Sequence, residues 1–268
     1  MITLQHALVT LLAFDGNEEK FEKQIPYILF PDAIRKYTGN RSCSHFEQDI
    51  DGKDVSWIKF PTEIKDLDKD KTEKLEKYIS GNLSKGVLCG KNDIEMFEKV
   101  NSHLDTNQFH GIKKHLIQDD IFDDFIREKI DTTGNERGLF KFRNQELTGK
   151  EVRDLILDIE NYGVYLLASI IYIKYGITTD QKWFDTHVRD VLKEEYPEEL
   201  AESTYAYMKI PENYNKLIVE HKGSQLQEGK LDFTEYLNMY KKIALEMRKV
   251  DKNQREKEEN EEELAVDF

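Results

Sequence analysis

Between His110 and Phe125 the chain reads HGIKKHLIQDDIFDDF, which places two histidines and four aspartates within sixteen residues. On a helix, His115, Asp119 and Asp123 fall at i, i+4 and i+8, a stripe whose successive Cβ atoms lie about 5 to 6 Å apart. Imidazole and carboxylate suit zinc or another first-row divalent ion, and a His and an Asp one turn apart reach a common ion at roughly 2 Å each. An acidic, solvated helix face has the same spacing, so the motif is a hypothesis that needs partners. The candidate partners are His6, Asp32, His45, and His187 with Asp190. Each falls in a different predicted element, as in helical bundles that build metal sites from inward-facing side chains. Singly they have plainer readings: His6 and His187 suit a helical core, and Asp32 suits a helix N-terminus.

A divalent cation among these groups would lower the pKa of a water to about 7 and stabilise the non-bridging oxygens of a phosphoester. Asp32 or Asp123 would orient or deprotonate that water. Arg35 and Arg41 flank the candidate site in sequence, and a guanidinium fork matches a phosphate group. Ordinary surface charge is the alternative for both arginines. Cys43, two residues before His45, has no third orienting group and is read as an inert loop thiol.

The elements that must position these groups follow from periodicity and breakers. Residues 2–14 predict an apolar first helix stopped by Asp15-Gly16-Asn17. Glu18 to Tyr37, interrupted by Pro26 and Pro31, predicts two short helices. Thr38 to Ser44 reads as a polar loop, and the Asp51-Gly52 turn predicts an irregular loop or small hairpin near residues 47–60. The charged stretch 61–107 predicts an insert of two surface helices. Phe109 to Lys129 is the central helix and Asp131 to Arg143 a loop. Thr148 with Glu151 forms a capping box opening a helix to Lys174, whose Tyr162–Tyr175 half is apolar nearly all round and is expected to be a buried spine. Helices follow from Asp180 to Glu195, Glu198 to Met208 and Phe233 to Val250. The densely charged residues 251–268 read as a disordered acidic tail. The expected fold class is therefore all-α, a multi-helix bundle over residues 1–250.

Composition narrows the function. The 268 residues suffice for a full-sized core, and 38% apolar with 11% aromatic residues is too rich for disorder. A net charge of -14 repels phosphate backbones, so double-stranded nucleic acid is not expected as a partner. A small phosphorylated substrate beside local arginines fits better. Two separated cysteines, Cys43 and Cys89, suggest neither a disulfide framework nor a cysteine zinc site, and reduced thiols suit a cytoplasmic setting. No signal peptide or transmembrane segment is expected, and neither a P-loop nor a dinucleotide fingerprint occurs.

The order of the motifs adds a resemblance. Ser44-His45-Phe46, followed by Glu47, Gln48, Asp49, Ile50, Asp51, Gly52 and Lys53, resembles the S-H-F-[Y]-D-P-D-N-G-K stretch of bacterial zinc-dependent phospholipases C. His115-Leu-Ile-Gln-Asp119 resembles the H-Y-L-G-D metal-binding helix of that family, and Pro31-Asp32 resembles its upstream aspartate. The resemblance covers residues 1–195 as scattered motifs. It implies an all-α bundle, related also to single-strand-specific nucleases of the S1/P1 type, in which a zinc cluster cleaves phosphate esters. His45, His115 and Asp119 would be metal ligands, and His6 and Asp32 would join them, Asp32 as ligand or water-activating base. Asp190 or Glu194 after His187 would stand for a late H-x-x-x-E pair. The chain departs from the pattern where Phe125 replaces a ligand histidine, a place Asp123 or Asp124 would fill. One to three zinc ions, or another divalent metal, are implied.

An HD-type phosphohydrolase needs an adjacent His-Asp dipeptide, which the chain lacks. The alternative from another class is a noncatalytic helical interaction protein that retains the fold and binds a protein partner through its acidic helices.

Overall fold

The computed structural model describes residues 1–38, 41–46, 55–68, 76–80, 92–131, 140–142, 145–208 and 232–266. The fold is mainly helical. Its helices are α1 (Thr3–Ala13), α2 (Glu18–Thr38), α3 (Arg41–His45), α4 (Ile94–Val100), α5 (Thr106–Lys129) and α6 (Gly149–Tyr175). Helix α7 (Gln181–Phe184) continues through a π turn (Asp185–Asp190) into α8 (Val191–Glu195), followed by α9 (Glu198–Tyr207) and α10 (Phe233–Val266). Strands β1 (Val55–Ile58) and β2 (Lys77–Ser80) pair antiparallel with Val55 opposite Ser80. Strands β3 (Ile130–Asp131), β4 (Phe140–Phe142) and β5 (Gln145–Leu147) form a second antiparallel sheet in that order.

Helix α1 is apolar on most sides and is accordingly surrounded: all eleven of its residues are buried. Helices α2, α6 and α10 pack on it, and α5 packs across α2 and α10. It stops where Asp15 and Gly16 take φ of 55° and 74°. Gly16 is required there twice over, because a Cβ would lie 2.7 Å from the Tyr175 ring. The α6 helix opens on the Thr148/Glu151 capping box and closes on Gly176 at φ 72°.

At Gly163 the α6 backbone meets α10 so closely that a Cβ would lie 1.9 Å from the Tyr240 hydroxyl and 2.4 Å from Gln5 Nε2. That hydroxyl accepts a 2.8 Å hydrogen bond from Gln5. Gly163→Ala is therefore expected to lower stability by about 1–3 kcal/mol through overpacking, despite the better helix propensity of alanine, as read by urea denaturation.

Several local expectations are corrected. Helix α2 runs unbroken through Pro26 and Pro31. Each interior proline removes a backbone donor at a cost of about 3 kcal/mol, but burial of Phe21, Ile25, Ile28, Leu29, Phe30, Ala33 and Ile34 holds the segment together. The Tyr196 hydroxyl also donates to the Pro26 carbonyl. Arg41–His45 is a helical turn rather than a loop. The Asp51-Gly52 turn lies outside the described residues, and Val55–Ile58 pairs with Lys77–Ser80. Stretch 61–107 thus contains a strand as well as the short helix Ile94–Val100. The 131–143 loop carries β4 and the end of β3.

The second half of α6 is not buried all round, since Ile173 is 82% exposed and Tyr172 lies on the same surface. By length and composition α6 is also a helix capable of crossing a membrane, although its inner face is packed on α1. Finally, α10 continues to Val266 instead of ending in a disordered tail at residue 250. Glu, Lys, Arg and Gln dominate that extension and are good helix formers, so a charged composition did not preclude a helix.

Candidate metal centre

Four of the first five helices deliver the site. His6 comes from α1, Asp32 from α2, Arg41 and His45 from α3, and His115 and Asp119 from consecutive turns of α5. All three histidines and both aspartates are buried. Two of the three imidazoles, those of His6 and His45, are oriented by a neighbour. His6 Nδ1 lies 2.8 Å from Gln118 Oε1, which makes Nδ1 the protonated nitrogen and turns Nε2 toward Asp119 Oδ1 at 3.2 Å. Gln118 is itself held, donating to Thr10 Oγ1 at 3.2 Å. His45 Nδ1 lies 3.0 Å from the Arg41 carbonyl and 2.9 Å from Ser44 Oγ, so its Nε2 also presents a lone pair inward.

The inward atoms converge. His115 Nε2 is 3.1 Å from His45 Nε2 and 3.4 Å from Asp119 Oδ2. His45 Nε2 is 3.6 Å from Asp119 Oδ2 and 3.5 Å from Asp32 Oδ1. Ligands at 2.0–2.1 Å around a tetrahedral ion stand roughly 3.3 Å apart, so the spacing fits a divalent cation. Two groups of three, His6/Asp32/His115 and His45/His115/Asp119, bring their ligand atoms within 4.8 Å of one another. His6 Nε2 and His115 Nδ1 make no hydrogen bond of acceptable geometry among the described residues. These buried groups can hold a metal ion.

Electrostatics suit ligation. Burial lowers the pKa of His45 to about 3, assisted by the Arg41 charge and opposed by Asp32, and burial likewise lowers that of His6, assisted by His115. Both are neutral imidazoles at pH 7. Burial alone would protonate Asp32 and Asp119, but their neighbours prevail. The Thr3 hydroxyl, which donates to Asp32, and the Arg35 guanidinium beside it favour its ionised form. The Met1 amine and Arg41 hold Asp119 well below the usual carboxylate range.

Around this centre lie groups of both signs. Arg41 Nη2 donates to Asp119 Oδ2 at 2.7 Å, and Arg35 Nη1 is 3.5 Å from Asp32 Oδ1. Thr3 Oγ1 donates to Asp32 Oδ2 at 2.9 Å. The Met1 amine donates to Asp119 Oδ1 at 2.8 Å and lies 3.9 Å from Glu160 Oε1. Burial raises Glu160 to about 6 against the pull of that amine, and burial with the Asp119 charge raises Asp123.

Of the candidates from sequence, His6, Asp32, His45, His115 and Asp119 are brought together. Asp123 stands beside them, close enough to feel Asp119 and the amine but outside both ligand groups. His187 and Asp190 are not part of the site. His187 sits on the π turn, with Nδ1 2.6 Å from Glu22, Nε2 3.5 Å from Glu18 and its ring on Trp183. Asp190 is exposed on the same turn. Glu160 was missed, although its signal was present: a carboxylate among the otherwise apolar buried positions Ile159, Gly163, Val164 and Leu167 of a long helix.

Comparison with protein-family models, with curated proteins and with solved structures yields no match. The class defined on its own evidence is a mainly helical protein with a buried His/Asp centre able to hold a metal.

Proposed function

We propose that the chain is a zinc-dependent hydrolase of phosphoesters acting on a small phosphorylated molecule or phosphodiester. The carrying observation is the convergence of His45, His115, Asp119 and Asp32 at 3.1–3.6 Å, with His45 a neutral imidazole and the carboxylates ionised. The motif resemblance to zinc-dependent phospholipases C supports the same reading.

His6, His45, His115, Asp32 and Asp119 would hold the cation. Bound there, it would supply positive charge to the non-bridging oxygens of the ester and acidify the attacking water. Arg35 and Arg41, both partly exposed and paired with Asp32 and Asp119, would bind phosphate oxygens. Asp32 is anchored by Thr3 and Arg35, so its role is to position water rather than to take a proton. Glu160, with its pKa near 6, has the proton affinity a general base needs at neutral pH.

The test is hydrolysis of an aryl phosphodiester and an aryl phosphomonoester by zinc-replete protein, with and without chelator. Chelator-sensitive turnover is expected, and Glu160→Gln should lower kcat by about 100-fold or more while zinc content stays unchanged. Zinc-replete protein inert toward both ester classes would overturn the hydrolase reading. One observation favours the noncatalytic interaction protein instead: Arg41 and the Met1 amine already neutralise both oxygens of Asp119. Absence of zinc from the wild type would decide for it.

A further inference from the structure

Away from the metal centre, helices α6 and α10 both lean on α1 and meet at Gly163 and Tyr240. Beyond that contact a groove of about 470 Å³ opens, floored by Leu12 and Tyr240 and walled by Ile170, Leu237, Ala244 and Leu245. Its rim is cationic, with Lys174 on one side and Lys241 and Arg248 on the other. Such a rim is unusual on a chain of net charge -14.

The three cations differ. Arg248 is fixed by the Ala13 carbonyl and Asp15, each at 2.8 Å, and Lys174 lies 3.5 Å from Asp15 and over the Tyr175 ring. Asp15 thus offsets one of the three charges. Lys241 is exposed and has no ion-pair partner among the described residues. Beside it Leu245, a bulky apolar side chain, is 56% exposed. A volume of that size lies within the range of small-molecule sites, and its walls supply only apolar contact.

An apolar trough with cations at its mouth matches a molecule with an alkyl chain and an anionic head. We propose that the α6/α10 groove binds a single-chain anionic amphiphile, its chain lying over Leu12 and Ala244 and its carboxylate or phosphate paired with Lys241. Burying the chain supplies affinity in proportion to the apolar area covered, and the cations select the sign of the head. The site is separate from the metal centre and does not depend on its chemistry.

The test is calorimetric titration of the full chain with monomeric decanoate and decyl phosphate, beside decyltrimethylammonium as the cationic match. Saturable binding of both anions, with the cation weaker by about tenfold or more, is expected, since a head of the wrong sign meets like charge. Lys241→Glu should weaken anion binding about fivefold or more, and Leu245→Glu, also at an exposed position, should do so too. Equal affinity for both head signs, anion binding untouched in both variants, or no saturation by either anion would overturn the proposal. Binding only to vesicles containing anionic phospholipid, with none of the monomers, would overturn it in favour of a membrane-surface contact.

Discussion

Protein with His115 replaced by alanine is expected to emerge from purification without stoichiometric zinc, while the wild type carries it. His115 is the hub of the centre. Its Nε2 faces both His45 and Asp119, and its ring stacks on His6 with centroids 4.1 Å apart. It belongs to both groups of potential ligands, so among the described residues no other such set survives its loss. Changes in groups that merely orient metal ligands cost about 10–100-fold in affinity, and removing a ligand itself should cost more. Elemental analysis of protein prepared without a metal-affinity tag reads the outcome directly. His187→Ala serves as the matched control, because His187 pairs with Glu22 and Glu18 and should leave zinc content unchanged. Equal zinc in wild type and His115→Ala would refute the centre.

The second large effect is on stability. Asp251→Ala should destabilise the protein by about 3–5 kcal/mol, the range for removing one partner of a buried ion pair. Lys114 is fully buried, and its ammonium is held by Asp251, by Gln24 Oε1 at 2.6 Å and by the Phe14 ring at 4.9 Å. Lys20 binds the other oxygen of Asp251 at 2.7 Å. Without Asp251 the Lys114 charge is stranded. Lys114→Met in the Asp251→Ala background should recover most of the loss, and a double-mutant cycle in urea would measure it. Burial also lowers the pKa of Lys114 to about 8 from 10.5, against the pull of Asp251. Between those values Lys114 binds more protons in the unfolded chain than in the folded one. Its own contribution to stability should accordingly rise with pH across that window, read as the difference between wild type and Lys114→Met.

The five clustered candidate ligands were legible because ligand chemistry is carried by residue type. His115 and Asp119 also share a helix face by counting alone. His187 and Asp190 were read equally easily and mislead, since spacing along one helix says nothing about which face of the bundle it meets. Glu160 and Gln118 were harder to find because their meaning depends on partners from remote segments, 112 residues away for Gln118 and His6. The helices themselves followed from periodicity and caps, as at Thr148 and Asp180. Where local rules failed, tertiary burial or strand pairing outweighed them: α2 crosses two prolines, and the charged stretch read as two surface helices supplies Lys77–Ser80 as the partner of Val55–Ile58. Asp251 shows the same limit, a single anchor hidden within a charge-rich stretch.

The enclosure of α1 has a consequence for how the chain is made. Its eleven residues are buried, yet one of the helices that covers them begins at Phe233, and Gln5 pairs with Tyr240 across 235 positions. At translation rates of about 5–20 residues per second, the earliest helix waits on the order of ten seconds or more for its last neighbour. During that interval an apolar surface stands open on the ribosome, and shortening the chain before residue 233 would leave it open permanently. Nascent chains and C-terminal truncations of this protein should therefore be the forms that engage chaperones and aggregate.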